Sequence, residues 1–176
     1  TIMDWARTHV RSTLYICWGA QAALYHHYGI PKYALSEKMF GIFPQRVLRP
    51  LPLFDGMARP FAMPNSRHTE VRVADFPAGA DVVPVAVSDE SGMGVAVGAG
   101  GREIYVAGHL EYEPATLERE YLRDVAKGLP IALPRHYYRG DDPAQGIDYS
   151  WQQACATFYA NWVERYVAPQ PAPPSA

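Results

Sequence analysis

Cys17 is the residue whose position most clearly permits covalent chemistry. It follows the apolar, β-prone run 12–16 and directly precedes an Ala-rich helical segment, 18–28. A side chain at such a strand-to-helix junction is held above the carboxyl end of its strand, where open α/β sheets bind ligands. The first backbone N–H groups of the helix favour a thiolate and can receive the oxyanion of an attacked carbonyl. Cys17 is therefore a candidate nucleophile; the alternative is a small buried side chain, the commonest role of a free cysteine.

His109 and Glu111 supply the groups that such a nucleophile needs. They stand two residues apart after a second predicted strand, 103–107, so an extended backbone places both side chains on one face. A carboxylate beside an imidazole fixes the tautomer of the ring and stabilises its charged form. His-x-Glu pairs are common at protein surfaces, and this one gains weight from sharing a strand-end position with Cys17. The three residues form a complete Cys-His-Glu set.

Three other patterns are explained by structure rather than by chemistry. His26 and His27 lack a third metal ligand at a suitable spacing, so solvated or half-buried histidines are expected. The glycine-rich stretch 98–101 precedes a strand instead of opening a helix, which favours a hairpin turn over a nucleotide-binding loop. Cys155 falls on the apolar stripe of a predicted helix and is expected in the core.

Glu120 and Arg123 lie three residues apart on a predicted helix and share a face. An acid and a base at that spacing could bind the ammonium and the carboxylate of an amino acid, but an exposed ion pair explains the pattern equally well. The polar cluster 66–70 could likewise be a solvated loop. Lys38 has no distinguishing pattern of its own.

The elements that must position these residues alternate as in an α/β protein. The N-terminal residues 1–10 form a predicted helix, and the helix 18–28 ends at Gly29. The remaining predictions are antiparallel strands at 40–43, 82–87 and 94–97, helices at about 114–127 and 150–167, a surface connection at 130–146 and a Pro-rich, disordered tail at 168–176.

Composition restricts the classes of function. A chain of 176 residues that is 48% hydrophobic can build one globular domain. A net charge of −2 gives no reason to expect nucleic acid or an anionic membrane as a partner. The chain has only two cysteines, which favours free thiols over a disulfide scaffold. It has neither an apolar run of membrane-spanning length nor the basic-then-apolar order of a secretory signal. Together these features favour a location in the cytoplasm. Because the chain opens inside a predicted helix without an initiator methionine, we expect an N-terminal segment to be missing.

Longer motifs resemble the homoserine O-acyltransferase family. They occur in the order of the family and span Met3 to Val167; they are STLYICWGAQAALYHHYGIPK at 12–32, NSRHTEV at 65–71, GHLEY at 108–112 and FYANW at 158–162. The resemblance implies a flavodoxin-like α/β sandwich of the class I glutamine amidotransferase type. Residues 1–167 would form the C-terminal part of a single acyltransferase domain.

The resemblance also implies an activity and its residues. Enzymes of this family transfer succinyl or acetyl from coenzyme A to the hydroxyl of L-homoserine, in methionine biosynthesis, by a ping-pong mechanism. No permanently bound cofactor or metal is implied, since acyl-CoA is a co-substrate. The family positions fall on Cys17 as acyl carrier, His109 as base, Glu111 as its partner, the Trp18 backbone N–H as part of the oxyanion site, and Lys38, Ser66, Glu120 and Arg123 as substrate-binding residues.

Two departures from the family pattern leave alternatives open. The N-terminal half of the family is absent, so we expect a missing segment or a partner fragment to complete the site, in a homodimer. The stretch 149–156 is less basic than in most relatives, which keeps serine open as the acceptor. A glutaminase is a further alternative, although amidotransferases usually place glycine where Tyr15 stands, and the last is a non-catalytic binding module.

Overall fold

The computed structural model describes residues 1–168. Its helices and strands, in chain order, are α1 Ile2–His9, β1 Thr13–Ile16, α2 Trp18–Tyr28, β2 Tyr33–Val47, β3 Phe61–Glu70, β4 Val82–Ser88, β5 Gly92–Gly98, β6 Glu103–Val106, α3 Thr116–Ala126 and α4 Gln152–Trp162. The chain continues from α4 as a π-helical turn, Val163–Val167.

The six strands form one mixed sheet in the order β1-β6-β5-β4-β2-β3. β1 and β6 run parallel, with Ile16 opposite Val106, and the other neighbouring pairs are antiparallel. The carboxyl ends of β1 and β6 therefore meet at the same edge of the sheet. This arrangement brings the segments that follow the two strands, starting at Cys17 and Ala107, close together.

Alternating side chains of the central strands build two separate cores, one on each face of the sheet. On β6, Ile104 and Val106 face the core that contains Phe158 of α4, whereas Tyr105 faces the core that contains Leu24 of α2. The sheet is thus enclosed between α2 and α4, which confirms the predicted α/β sandwich. A third cluster joins β2 and α3 to buried aromatic residues of the 137–151 region.

α1 is attached to the sheet by polar contacts. No residue of α1 is buried, but Arg7 Nε donates to Glu103 Oε1 at 2.6 Å. The Glu103 side chain is only 3% exposed, and its other oxygen accepts hydrogen bonds from the hydroxyls of Tyr28 and Tyr105, each at 2.8 Å. One buried carboxylate therefore joins α1, α2 and β6.

Most predicted elements are confirmed. α2 has the predicted bounds and ends at Gly29, whose left-handed φ of 70° allows its N–H to donate to the carbonyl of Tyr25. The stretch 98–101 is the predicted hairpin connection, here between β5 and β6. The last helix is shorter than predicted, because α4 gives way to the π turn after Trp162.

Two interpretations of polar segments are wrong. Residues 66–70 belong to β3 rather than to a solvated loop, and Arg67 is only 5% exposed. The connection 130–146 is not confined to the surface, because Tyr137 and Tyr138 are buried and Arg135 pairs with Gly41 of β2. Cys155, expected in the core, is only partly buried. The predicted tail lies outside the described residues apart from Ala168.

Within residues 1–168, no helix has the length and apolar character needed to cross a membrane.

Candidate active site

Cys17 occupies the sharp junction between β1 and α2. Its backbone has φ 50° and ψ −115°, a conformation that residues other than glycine rarely adopt. Its N–H donates to the carbonyl of Val106 at 2.7 Å, and its carbonyl accepts the first hydrogen bond of α2, from Gln21. The neighbouring strand and the helix thus hold the strained turn on both sides. The predicted position at a strand-to-helix junction is confirmed, and the side chain is half-buried rather than part of a core.

The residue after Cys17 begins the first turn of α2. N–H groups in the first turn of a helix have no intrahelical acceptor and point out of its N-terminus. The N–H groups of Trp18 and Gly19 belong to this first turn, the Cys17 side chain makes no capping hydrogen bond to them, and the Trp18 side chain is 66% exposed. An oxyanion formed at Cys17 would meet these donors and the positive end of the helix dipole.

His109 is fixed at the neighbouring strand end. Its N–H donates to the carbonyl of Pro64 on β3 at 2.8 Å. Gly108 makes this approach possible, since a Cβ atom there would overlap the Pro64 carbonyl oxygen and the Met63 side chain. Because β6 and β1 end at the same sheet edge, the imidazole comes within hydrogen-bonding reach of Cys17.

Glu111 orients the imidazole of His109. Its Oε1 lies 2.6 Å from His109 Nδ1, so Nε2 is the ring nitrogen that remains for another partner. Burial opposes protonation of the ring, but the hydrogen bonds and charges of Cys17 and Glu111 outweigh it and raise the pKa of His109 to about 9. Glu111 Oε2 also accepts a hydrogen bond from the Tyr159 hydroxyl at 3.4 Å. The structure thus brings together the three residues predicted as a Cys-His-Glu set.

A second polar cluster contains three of the predicted substrate-binding residues. Glu120 of α3 accepts hydrogen bonds at Oε2 from Ser66 Oγ of β3 at 2.6 Å and from Lys38 Nζ of β2 at 3.2 Å. The Lys38 and Glu120 side chains are 15% and 17% exposed. This half-buried carboxylate with a nearby ammonium is the kind of site that could exchange its partners for the charged groups of an amino acid.

Arg123 lies on the same helix but does not pair with Glu120. Its guanidinium donates to both carboxylate oxygens of Asp124, at 2.6 and 3.0 Å. Asp124 in turn approaches Lys38 Nζ at 3.6 Å, so Arg123 is linked to the cluster through Asp124. The simple exposed pair of Glu120 and Arg123 is therefore not formed.

Besides Asp124 and Tyr159, sequence reasoning missed Tyr112 and Arg67. Tyr112 stacks on the imidazole of His109, with centroids 4.2 Å apart, and its hydroxyl donates to Glu120. Arg67 is buried, and burial lowers its pKa while the charges of Glu70 and Cys17 oppose that shift. The alternation of side chains along β3 would have indicated Arg67, had the segment been recognised as a strand.

One cluster of potential metal ligands occurs within residues 1–168, away from this site. Asp4, His26 and His27 bring their ligand atoms within 4.8 Å of one another, so α1 supplies the third ligand that the sequence pattern did not reveal. His26 Nε2 lies 2.6 Å from Asp4 Oδ1, and this contact joins α1 to the far end of α2 from Cys17.

Solved structures share this fold at low sequence identity. A glutamine amidotransferase from Thermotoga maritima aligns with a TM-score of 0.68 and 15% identity, over 96% of this chain and 67% of its own. Another, from Methylobacillus flagellatus, aligns with a TM-score of 0.65 and 14% identity, over 99% and 71% of the two chains. These similarities confirm the class I glutamine amidotransferase-like fold.

Curated proteins found by sequence comparison have a much higher sequence identity to this chain than these solved structures do. The chain is 55% identical to a homoserine O-acetyltransferase of Bacteroides fragilis and 51% identical to one of Parabacteroides distasonis. Each match covers 94% of this chain and 55% or 54% of the relative, so the chain spans about half the length of the curated relatives it matches. The family model described as homoserine O-succinyltransferase matches residues 1–173. The chain therefore belongs to the homoserine O-succinyltransferase family.

Proposed function

We propose that this chain carries the acyl-transfer site of a homoserine O-acyltransferase. The site would move succinyl or acetyl from acyl-CoA to the hydroxyl of L-homoserine, a step of methionine biosynthesis. The observation that carries the proposal is the assembly of Cys17, His109 and Glu111 at one sheet edge. The family match and the names of the relatives support the choice of substrates.

The first half-reaction loads the acyl group onto Cys17. The Cys17 sulfur attacks the thioester carbonyl, and the N–H groups of Trp18 and Gly19 stabilise the oxyanion of the tetrahedral intermediate. The intermediate collapses by breaking its bond to the sulfur of coenzyme A, which leaves as a thiol after taking a proton from His109. The product is a Cys17 thioester beside a neutral imidazole.

The second half-reaction transfers the acyl group to the acceptor. Neutral His109 accepts the proton of the homoserine hydroxyl as its oxygen attacks the thioester carbonyl. The new ester bond forms, Cys17 leaves as a thiolate, and Glu111 stabilises the imidazolium that results. The enzyme returns to its starting state, and the two half-reactions together consume only acyl-CoA and the acceptor.

The Lys38, Ser66 and Glu120 cluster is the proposed acceptor site. Glu120 would accept the ammonium of the amino acid, and Lys38, together with Arg123, would turn to its carboxylate. This assignment is supported by the present contacts, in which Glu120 accepts a hydrogen bond from the Lys38 ammonium and Arg123 donates to the Asp124 carboxylate.

The proposal extends to the surroundings of the site. β1 lies at one end of the sheet formed by residues 1–168, so the nucleophile stands beside an edge strand. We infer that the part of the relatives that this chain does not cover completes the acyl-CoA site there. A homodimer in the cytoplasm, with acyl-CoA as co-substrate, is part of the same proposal.

The first test is formation of an acyl-enzyme. The purified chain, alone and fused to the uncovered part of the Bacteroides fragilis relative, is mixed with acetyl-CoA or succinyl-CoA without acceptor. Intact-mass spectrometry should show one added acyl group, which homoserine then discharges as O-acylhomoserine. Cys17→Ala should abolish the adduct, whereas Cys155→Ala, at the second free cysteine, should retain it.

Two results would contradict the proposal. One is the absence of any adduct under conditions in which the relative itself is acylated, and the other is an adduct that survives Cys17→Ala. Discharge by serine in preference to homoserine would assign serine as the acceptor. Ammonia release from glutamine would indicate a glutaminase instead.

A further inference from the structure

Tyr112 contacts both parts of the proposed site. Its ring stacks on the imidazole of His109, with centroids 4.2 Å apart and planes inclined by 15°. Its hydroxyl donates to Glu120 Oε1 at 3.2 Å, while Lys38 and Ser66 use the other oxygen of that carboxylate. A single side chain thus spans the distance from the proposed base to the proposed acceptor-binding carboxylate.

The backbone of Tyr112 is held in place by two hydrogen bonds. Its N–H donates to the carbonyl of His109 at 3.2 Å, in the turn that follows β6. Its carbonyl accepts a hydrogen bond from Trp151 Nε1 at 2.9 Å, and Trp151 is fully buried. With the main chain held at both polar groups, the ring has little freedom to leave the imidazole.

The chemistry of the phenol suits both contacts. Burial and the charge of Glu120 raise the pKa of Tyr112 above its usual range, so the hydroxyl keeps its proton and remains a donor. The face of an aromatic ring also stabilises a cation placed over it. The ring therefore favours the imidazolium form of His109, while the hydroxyl restrains one oxygen of Glu120.

We propose that Tyr112 is a positioning residue that couples the base to the acceptor site. Its ring holds the imidazole of His109 toward Cys17, and its hydroxyl orients the Glu120 carboxylate for the ammonium of the acceptor. This inference rests on the proposed function. It predicts that the two contacts act at different steps: the ring in both half-reactions, the hydroxyl in the second alone.

Two substitutions separate the contacts. Tyr112→Phe keeps the ring and removes the hydrogen bond to Glu120, so acylation of Cys17 should be unchanged while KM for homoserine rises about tenfold, as expected for loss of a hydrogen bond to a charged group. Tyr112→Leu removes the ring as well. It should slow acylation and lower the pKa of His109, followed by NMR, by about half to one unit.

The matched controls are Tyr25→Phe and Tyr25→Leu, at an exposed tyrosine of α2. Both should behave as wild type in the kinetic and NMR measurements, and circular dichroism verifies the fold of each variant. Kinetics use the fusion described above, and the NMR titration uses the chain itself.

The outcomes distinguish this inference from the function on which it rests. If the wild-type fusion transfers no acyl group, the proposed function is wrong. An unchanged KM for homoserine in Tyr112→Phe, with an unchanged His109 titration in Tyr112→Leu, would overturn the role of Tyr112 alone. If the leucine variant does not fold, the phenylalanine variant decides, because a wild-type KM there removes the coupling.

Discussion

At the scale of single residues, the site depends on side chains that constrain one another's charge. His109 is enclosed, yet Cys17 and Glu111 make its protonated form more favourable than it is in water. An imidazolium beside Cys17 is suited to protonating a leaving thiolate, and it becomes a base once that proton has gone. Under the proposed function, both roles belong to this one ring.

This arrangement makes the stability of the protein depend on pH. The pKa of His109 is about 9 in the folded protein and about 6.5 in an unfolded chain. The stabilisation is therefore fully present below pH 6.5 and is lost as pH rises through about 9. The free energy of unfolding of the wild type minus that of His109→Gln should fall by about 3 kcal/mol as the pH rises from 6.5 to about 9.

Urea denaturation at several pH values provides the measurement. Glu111→Gln serves as a comparator and should reduce the effect, because it removes one of the charges that raise the pKa of His109. A stability difference between wild type and His109→Gln that is the same at both ends of the range would contradict the prediction.

At the scale of elements, Glu103 connects α1, none of whose residues is buried, to α2 and to β6 of the sheet. Its burial raises its pKa, but hydrogen bonds from Tyr105 and Tyr28 and the charge of Arg7 outweigh this and leave the pKa below its usual range. Its stabilising effect is thus present above about pH 4.5 and is lost as pH falls through the lowered value.

Glu103→Gln should destabilise the protein by about 2 kcal/mol at neutral pH, because it removes the charge that Arg7 and both tyrosines contact. Denaturation at neutral and at acidic pH should show that the difference disappears in acid. Glu113→Gln, at an exposed ion pair with Arg119, is the control and should cost less than about 0.5 kcal/mol. Equal effects of the two substitutions would refute the special role of Glu103.

How far the sequence predicts these elements depends on where their partners lie. α2 was predictable because its signals are local: an Ala-rich segment that ends at Gly29. β3 was not, because its polar residues 65–70 obtain their hydrogen bonds from β2 and direct Ser66 toward α3. A strand whose inward-facing and outward-facing residues are both polar resembles a loop until its distant partners are known.

The same reasoning applies to the site. Cys17 and His109 were predictable because each follows a recognisable strand end. Lys38 carries no local signal, since its contact with Glu120 joins residues 82 positions apart in the sequence. Tyr112 was overlooked for a different reason: its two contacts depend on the turn after β6, whose geometry the residue pattern does not specify.

At the scale of the whole molecule, the chain places Cys17, the proposed nucleophile, at the end of the edge strand β1 and spans about half the length of its curated relatives. Fusing the chain to the uncovered part of the Bacteroides fragilis relative should restore growth of a methionine-requiring strain that lacks its own acyltransferase. Growth on medium without methionine is the measurement. His109→Ala in the same fusion should abolish rescue; wild-type growth of that variant would indicate a non-catalytic role.

The strained backbone at Cys17 has a consequence for how such a chain would evolve. A positive φ is tolerated by glycine at little cost, whereas any other residue pays for it in folding free energy. Cys17→Gly also removes the contact that favours protonated His109, and that contact no longer contributes above about pH 9. At such a pH the variant should therefore have a higher melting temperature than the wild type, which calorimetry can test. Mass spectrometry should show that acylation is abolished. Under the proposed function, selection for stability and selection for catalysis thus oppose each other at this position. In a lineage that obtains methionine from its surroundings, glycine at position 17 would be an early sign that the acyltransferase activity has been lost.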